Sequence, residues 1–268
     1  MSKRRKAWTR RKVLIGVSAA TLSAPLAANA QFGGSLNLGG TQIDLGNIFS
    51  GLKSIFEGLS LSEEDEIEMG EKLYPRLIAM SGGAYGNARV QAAMDALFRA
   101  LLADAGPREL PWEITVVNDD TVNAWALLGG KLAVNKGLLR YVDSEDELAG
   151  VIAHELGHAE LSHAIGEMRT DKFTKGFSKL GAEAIMSQTR DSGASGLLTE
   201  QALEQLAGPM HEMVVSGYSR SSEGEADRYM IKIFETSGHD PRKAVKFFET
   251  LLELIPADSE LTTSLFST

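Results

Sequence analysis

The stretch that most constrains this chain is residues 151–163, which read Val-Ile-Ala-His-Glu-Leu-Gly-His-Ala-Glu-Leu-Ser-His. Within it His154 and His158 stand four residues apart, and Glu155 directly follows the first of them. On a helix, residues at this spacing project from the same face one turn apart, so both imidazoles can bind one metal ion. Glu155 would lie beside the open side of that ion, where a carboxylate can take a proton from water. The stretch therefore predicts two metal ligands and a general base.

The residues before the motif predict the helix that carries it. Ser144 with Glu147 three residues later is typical of a capping box, and apolar residues then recur at helical spacing, so we expect a helix from about 144. Gly157 costs about 1 kcal/mol relative to Ala inside a helix, so we expect a close backbone contact there. The alternative is a buried amphipathic helix with structural histidines, but only 5 His occur in 268 residues, which makes this spacing rare by chance.

A catalytic zinc site needs a third protein ligand and an open position for water. Glu223 and Asp227 are four residues apart and share one face of a helix. We expect Glu223 to bind the metal and Asp227 to accept the second N–H of a ligating histidine, although a solvated acidic patch is an alternative for such a pair. Glu225 should face elsewhere. His163 is predicted to make a polar contact near the end of the helix rather than to bind the metal.

The first 30 residues differ from the rest of the chain. They contain seven basic residues and no acidic ones, an apolar run from Val13, and Ala28-Asn29-Ala30, which is typical of a cleavage site. Residues 1–30 are therefore predicted to be a cleavable export signal. Thr9-Arg10-Arg11-Lys12-Val13-Leu14 resembles the twin-arginine type, and the ordinary secretory route is the alternative. Both lead to the bacterial periplasm.

Three further segments follow that signal. Residues 31–60 are predicted to be a Gly-rich, flexible lead-in followed by an amphipathic helical segment, which could pack on its own domain or lie on a membrane surface. Residues 61–255 are predicted to form one catalytic domain, and residues 256–268 a polar tail.

Composition narrows the possible partners. Without the signal, 20 basic and 36 acidic residues remain, a net charge of −16, which argues against nucleic acid as a partner. The chain has no Cys, which rules out disulfides, a thiol nucleophile and Cys-ligated zinc. No other stretch has the roughly 18 consecutive apolar residues of a membrane span, so we expect peripheral membrane contact at most, or anchoring by an uncleaved signal. The oligomeric state is not indicated.

The remaining pattern is mostly helical with one small sheet. Residues 112–117 alternate as a strand does, and residues 123–134 read as two short strands joined by a glycine turn. An exposed sheet edge can bind an extended peptide through main-chain hydrogen bonds, and Gly129, Gly130 and Lys131 are predicted to belong to that edge. The alternative is an ordinary hairpin. Residues 165–188 are predicted to continue as helix, and residues 191–196 to form a mobile loop.

Taken together, these motifs resemble the zinc metallopeptidases of the HtpX-like and CAAX-prenyl-protease-like family, of the gluzincin group. The matching stretches are Asn123-Ala124-Trp125-Ala126 with Gly129-Gly130, Gly137-Leu138-Leu139, the string from His154 to His158 with His163, and Ser219-Arg220 followed by Glu223-Gly224-Glu225-Ala226-Asp227. The resemblance implies an α+β fold, a mostly helical zincin-type domain with a small sheet beside the metal-binding helix. It also implies one Zn²⁺ per chain, held by His154, His158 and Glu223. Glu155 would be the base, and Asp227 would accept a hydrogen bond from a ligating histidine.

The resulting hypothesis is a periplasmic zinc endopeptidase that acts on extended polypeptide, in the quality control of misfolded or envelope proteins. Arg220 is the preferred candidate for stabilising the oxyanion, ahead of Tyr218 and His211. Two alternatives use the same site differently. One is a chaperone-like binding factor with a structural zinc, and the other is a zinc hydrolase acting on cell-wall peptide or another non-protein amide.

Overall fold

A three-stranded sheet lies between two groups of helices in the computed structural model of this chain. The structure describes residues 35–38 and 41–254. The predicted export signal (1–30) and polar tail (256–268) lie outside the described residues. Within the described part of the chain, no helix has the length and apolar character needed to cross a membrane.

The elements confirm a mostly helical α+β architecture. The strands are β1 (Ser35–Leu38), β2 (Thr41–Asp44), β3 (Glu113–Val117), β4 (Ala124–Leu127) and β5 (Lys131–Asn135). The helices are α1 (Leu45–Gly58), α2 (Glu63–Met80), α3 (Ala88–Ala105), α4 (Glu145–Glu160), α5 (His163–Met168), α6 (Asp171–Lys175), α7 (Lys179–Ser192), α8 (Glu200–Ser216), α9 (Arg220–Ser237) and α10 (Pro241–Leu254). Short 3₁₀ turns occupy Leu138–Arg140 and Gly193–Leu198.

The order of the strands in the sheet is β3-β5-β4. Strands β4 and β5 pair antiparallel, joined by a turn in which Gly129 and Gly130 have φ values of 71° and 74°. Strand β5 also pairs in parallel with β3, so that Lys131 lies opposite Glu113 on one side and Leu127 on the other. The prediction that Gly129, Gly130 and Lys131 form the open edge is therefore wrong, because β5 is the central strand. The edge nearest the motif is β4.

Both faces of this sheet are buried, each in its own core. Trp125 and Leu127 face a core formed with helices α1, α2 and α5 to α8. Ala126 and Leu132 face the opposite core, which includes helices α3, α4, α9 and α10. The sheet therefore supports α4 directly on one face, while α8 approaches β4 from the other. A strand covered on both faces leaves only its edge available for further pairing.

The apolar stripe of α1 packs inside the domain. Leu52 and Phe56 are almost fully buried, and the Phe56 ring contacts the Phe173 ring edge-on at a centroid distance of 5.5 Å. Of the two predicted uses of this stripe, packing is the one observed. Strands β1 and β2 form an antiparallel hairpin within the segment predicted to be a flexible lead-in.

One further prediction of local structure was wrong, and a second was confirmed in part. The helix predicted over 165–188 is broken into α5, α6 and α7, because the side chains of Thr170 and Ser178 start new helices as N-caps. A break in the helix was predicted at 191–196, and α7 does end there, at Ser192, where the 3₁₀ turn Gly193–Leu198 follows in place of a loop. Gly196 in that turn is buried, and a Cβ atom there would lie 2.2 Å from the carbonyl oxygen of Gln188.

Helix α4 begins and packs nearly as its sequence indicates. The Ser144 hydroxyl accepts a hydrogen bond from the Glu147 N–H at 3.3 Å, but the Glu147 carboxylate accepts from Asp143 N–H, so the reciprocal capping box is not formed. At Gly157 the helix meets α9: a Cβ atom there would lie 3.0 Å from both Ala226 Cα and Tyr229 Cβ. The close backbone contact predicted at Gly157 is therefore present.

Gly157→Ala should reduce the free energy of unfolding by roughly 1–3 kcal/mol, because the added methyl group must push α9 away from α4. Gly208→Ala in α8 is the matched control, since nothing lies within 4 Å of a Cβ atom at that position. There the gain in helix propensity should raise stability by about 0.5–1 kcal/mol. Urea unfolding measures both, and a Gly157→Ala variant as stable as the parent would contradict the tight packing.

Candidate metal centre

Helices α4 and α9 bring three potential ligand atoms together. His154 Nε2 lies 3.0 Å from His158 Nε2 and 3.1 Å from Glu223 Oε2. His158 Nε2 lies 3.7 Å from the same carboxylate oxygen. Among the described residues, these three side chains form the group of His and acidic residues whose ligand atoms are close enough to hold one ion. The structure thus places the predicted ligand set in one cluster.

The start of α9 fixes the position of Glu223. Ser219 is the N-cap of this helix, and its own N–H donates to the Glu167 carboxylate of α5 at 2.8 Å. The N–H of Tyr218 donates to Glu223 Oε1 at 3.2 Å, which leaves Oε2 facing the imidazoles. The turn between α8 and α9 therefore determines which carboxylate oxygen faces the histidines.

Asp227 holds the first histidine of the pair. Its Oδ1 atom lies 3.0 Å from His154 Nδ1, on the side of the ring away from Glu223. An ionised carboxylate can only accept a hydrogen bond, so Nδ1 of His154 carries a proton, and Nε2 is the nitrogen available to a metal. The structure thus places Asp227 at the position predicted for it, one helical turn after Glu223.

His158 has a different neighbour on its Nδ1 side. His163 Nδ1 lies 2.8 Å from His158 Nδ1, and His163 Nε2 lies 3.2 Å from Glu225 Oε2. A polar contact near the helix end was predicted for His163, but its partner was not. Glu225 lies outside the cluster, as predicted, and contacts His163 because α4 ends at Glu160 and the chain brings His163 back towards Glu225.

The separations within the cluster fit a tetrahedral zinc ion. Zinc bonds of about 2.0–2.1 Å to nitrogen and oxygen put neighbouring ligand atoms about 3.3 Å apart, close to the distances observed. Burial lowers the pKa of His154, but hydrogen bonds with Asp227 and Glu223 outweigh it and raise that pKa to about 10. Burial lowers the pKa of His158 to about 4, so this ring stays neutral. Without a metal, His154 therefore carries a positive charge beside Glu223, and a bound cation would take the place of the proton on its Nε2.

Glu155 lines a cavity of about 90 Å³ beside the cluster. Burial raises the pKa of its carboxyl to about 7, and the neighbouring Glu223 raises it as well, against a lowering effect of His154. A carboxylate with a pKa near neutrality can both take and return a proton. The rest of the lining includes residues 122–125 at the start of β4, Leu138, Val151, residues 214–218 and Phe248.

The candidates for the oxyanion role are not supported. Arg220 is exposed and does not line the cavity. Tyr218 stacks on His158 with ring centroids 4.1 Å apart, and its hydroxyl donates to the Ala126 carbonyl at 2.7 Å. His211 contacts the Ser81 hydroxyl at 3.0 Å and does not line the cavity. Arg220 and His211 therefore lie outside the cavity, whereas Tyr218 lines it but already uses its hydroxyl in a hydrogen bond.

Several lining residues were not identified as functional from the sequence. Asn123 belongs to a stretch noted in the resemblance, but no role was given to it. Ser216 is the last residue of α8 and Gly217 follows it, while Phe248 comes from α10, where its ring lies 5.8 Å from the His154 ring. No local pattern points to them, because their position depends on how α8 and α10 pack around α4.

The fold and the cluster together define a metallopeptidase, in which one helix supplies two histidines and an acidic residue, and a second helix supplies a carboxylate. The model of peptidase family M48 matches residues 87–268. The chain belongs to this family.

Named relatives agree with this assignment. The chain is 27% identical over 237 residues to the beta-barrel assembly-enhancing protease of Yersinia pestis, covering 88% of this chain and 46% of that protein. It is 29% identical over 196 residues to the protein of the same name from Escherichia coli K12, covering 73% and 39%. The metalloprotease YcaL of Escherichia coli K12 is 31% identical over 156 residues, covering 58% and 56%. The chain thus spans less than half the length of the two beta-barrel assembly-enhancing proteases.

Glu223→Ala should lower the metal content of the purified protein, because it removes one of three ligand atoms. Glu235→Ala, at an exposed position of the same helix, is the matched control and should retain the parent's content. Elemental analysis measures metal per chain in each variant. A full complement of metal in Glu223→Ala would exclude this carboxylate as a ligand.

Proposed function

We propose that the chain is a zinc-dependent endopeptidase that cleaves extended polypeptide. The observation that carries this proposal is the convergence of two imidazole Nε2 atoms and one carboxylate oxygen beside the cavity lined by Glu155. Two nitrogens and one oxygen form a donor set that suits zinc, and three protein ligands leave a fourth position for water or substrate. One Zn²⁺ per chain is expected.

In the proposed hydrolysis of a peptide bond, each residue of the site has a separate role. Zinc, when bound by His154, His158 and Glu223, supplies Lewis-acid chemistry that polarises a carbonyl and acidifies water to a pKa of about 7. Glu155 takes the proton of the attacking water and delivers it to the leaving amine nitrogen. Asp227 keeps the proton of His154 on Nδ1, so that Nε2 remains free to bind metal.

Glu155→Gln should bind zinc as the parent does but cleave unfolded casein at least about 100-fold more slowly, because an amide cannot take up the proton. Glu145→Gln, at an exposed position in the first turn of α4, is the matched control and should cleave casein like the parent. Equal rates for Glu155→Gln and the parent would exclude the base assignment. Casein protected from aggregation and left intact by the parent would instead favour the chaperone-like alternative.

Strand β4 offers a specific place for the substrate backbone. In its antiparallel pairing with β5, the N–H of Asn135 donates to the carbonyl of Asn123, so the main-chain groups of Ala124 and Ala126 point away from β5. The outward carbonyl of Ala126 already accepts from Tyr218. Ala124, which lines the cavity, is therefore the residue at which an extended peptide would pair.

Ala124→Pro should raise the KM for an unfolded substrate, because it removes the outward N–H while leaving the bonds to β5 intact. Proline is tolerated on an edge strand when its N–H position faces outward, so thermal stability should change little. Ala124→Gly keeps the N–H and is the control. A KM equal to that of the parent in Ala124→Pro would argue against pairing at this position.

The proposed setting is the bacterial periplasm, with misfolded or envelope proteins as substrates. It is supported by the basic and apolar pattern of residues 1–30 and by the names of two relatives, which refer to beta-barrel assembly. Bacterial barrels of this kind are outer-membrane proteins. Fractionation of cells that produce the full chain tests the setting, and recovery from the cytoplasm alone would contradict it.

A further inference from the structure

The two histidines of the cluster are held in different ways. His154 contacts a carboxylate directly, with Nδ1 at 3.0 Å from Asp227. His158 instead contacts a second imidazole, that of His163, at 2.8 Å, and His163 in turn contacts Glu225. The rings of His158 and His163 are nearly fully buried. The function proposed above assigns no role to His163 or Glu225.

The direction of the hydrogen bonds in this row follows from where His158 Nε2 points. Nε2 of His158 faces the carboxylate of Glu223, and a metal bound there needs the lone pair of Nε2, which places the His158 proton on Nδ1. Nδ1 then donates, so His163 Nδ1 must accept through a lone pair. A neutral His163 therefore carries its own proton on Nε2, which donates to the Glu225 carboxylate 3.2 Å away.

We propose that His163 is a positioning residue for His158, and that Glu225 fixes the tautomer of His163. Asp227 fixes the tautomer of His154 by direct contact. Glu225 does the same for His158 through one additional ring, that of His163. Partners of this kind hold a ligating imidazole in one tautomer and one orientation and raise its basicity. The inference rests on the proposed zinc site.

The turn that carries His163 is itself held firmly. Ser162 has a left-handed backbone (φ 53°), which reverses the chain directly after α4. Its hydroxyl donates to the buried carboxylate of Glu66 at 2.9 Å and accepts from the guanidinium of Arg108 at 3.0 Å. Arg108 also donates to the last turn of α4, at the Ala159 carbonyl, 3.1 Å away. His163 is therefore presented from a turn that is tied to α2 and to the end of α4.

The stacking of Tyr218 closes the remaining side of His158. The two rings are 4.1 Å apart and 16° from parallel, and the same tyrosine ring lies 6.1 Å from His163. With Tyr218 on its face, His158 can rotate little about its side-chain bonds, so its Nδ1 stays directed at His163. The contact is thus part of a packed interior and not an exchangeable surface contact.

Zinc affinity tests this role without reference to cleavage. His163→Ala should bind zinc about 10- to 100-fold more weakly than the parent, as loss of such a partner typically does. His163→Asn should recover most of the affinity, because its amide oxygen can accept from His158 Nδ1. His239→Ala is the matched control: it also removes a His–carboxylate contact, with Asp146 at 2.9 Å, but not at the cluster. It should leave zinc affinity unchanged.

Competition with a chromogenic chelator measures these affinities, and circular dichroism checks that each variant is folded. Parent-like affinity in His163→Ala, or equally weak binding in His163→Asn and His163→Ala, would overturn the inference while leaving the zinc site intact. A parent protein without zinc affinity would instead overturn the proposed function.

A measurement on the parent protein covers the case in which His163→Ala does not fold. With only 5 His in the chain, ¹⁵N-labelled histidine gives a simple NMR spectrum of the zinc-loaded protein. We expect His158 to be protonated at Nδ1 and His163 at Nε2. A His163 ring protonated at Nδ1, alone or together with Nε2, cannot accept from His158 and would overturn the inference.

Discussion

The contact between α4 and α9 at Gly157 is the packing interaction on which the metal centre depends. A methyl group at this position would lie 3.0 Å from Ala226 Cα and from Tyr229 Cβ, which is closer than ordinary van der Waals contact, so glycine favours the close approach of the two helices. The approach places Glu223 beside both His154 and His158, and Asp227 beside His154. Helix α9 alone therefore supplies both the third ligand, Glu223, and the hydrogen-bond partner of His154, Asp227.

The cluster assembled by this contact is electrostatically incomplete by itself. Two imidazole nitrogens and a carboxylate oxygen meet within 3.0–3.7 Å in a buried site, and all three can bind one cation when the ring protons lie on the opposite Nδ1 atoms. Burial of such groups costs several kcal/mol unless a cation joins them. This arrangement lowers the stability of the fold when no metal is bound. Functional sites commonly carry such a cost, and metal binding explains it here.

The chemistry of the site could be predicted because its determinants are local in sequence. The spacing of His154 and His158, and that of Glu223 and Asp227, fixes which side chains share a helix face, whatever surrounds them. Gly157 predicted a close backbone contact, because glycine is a poor helix former and such a contact explains its presence in a helix. The β4–β5 hairpin was predicted, but the order of the strands could not be predicted in this way, because β3 pairs in parallel with β5 and not with β4, the next strand along the chain. The open edge was therefore assigned to the wrong strand.

The contact between His163 and His158 was missed for a related reason. It depends on the end of α4 at Glu160 and on the left-handed backbone of Ser162. A serine in the sequence does not predict this backbone conformation. The most direct test of the metal centre is anomalous diffraction at the zinc edge from crystals of the zinc-loaded protein. One zinc is expected, with His154 and His158 nitrogens at about 2.0–2.1 Å and a Glu223 oxygen at about 2.0–2.2 Å. Zinc bound to other residues, or no zinc between these three, would contradict the structure of the centre described above.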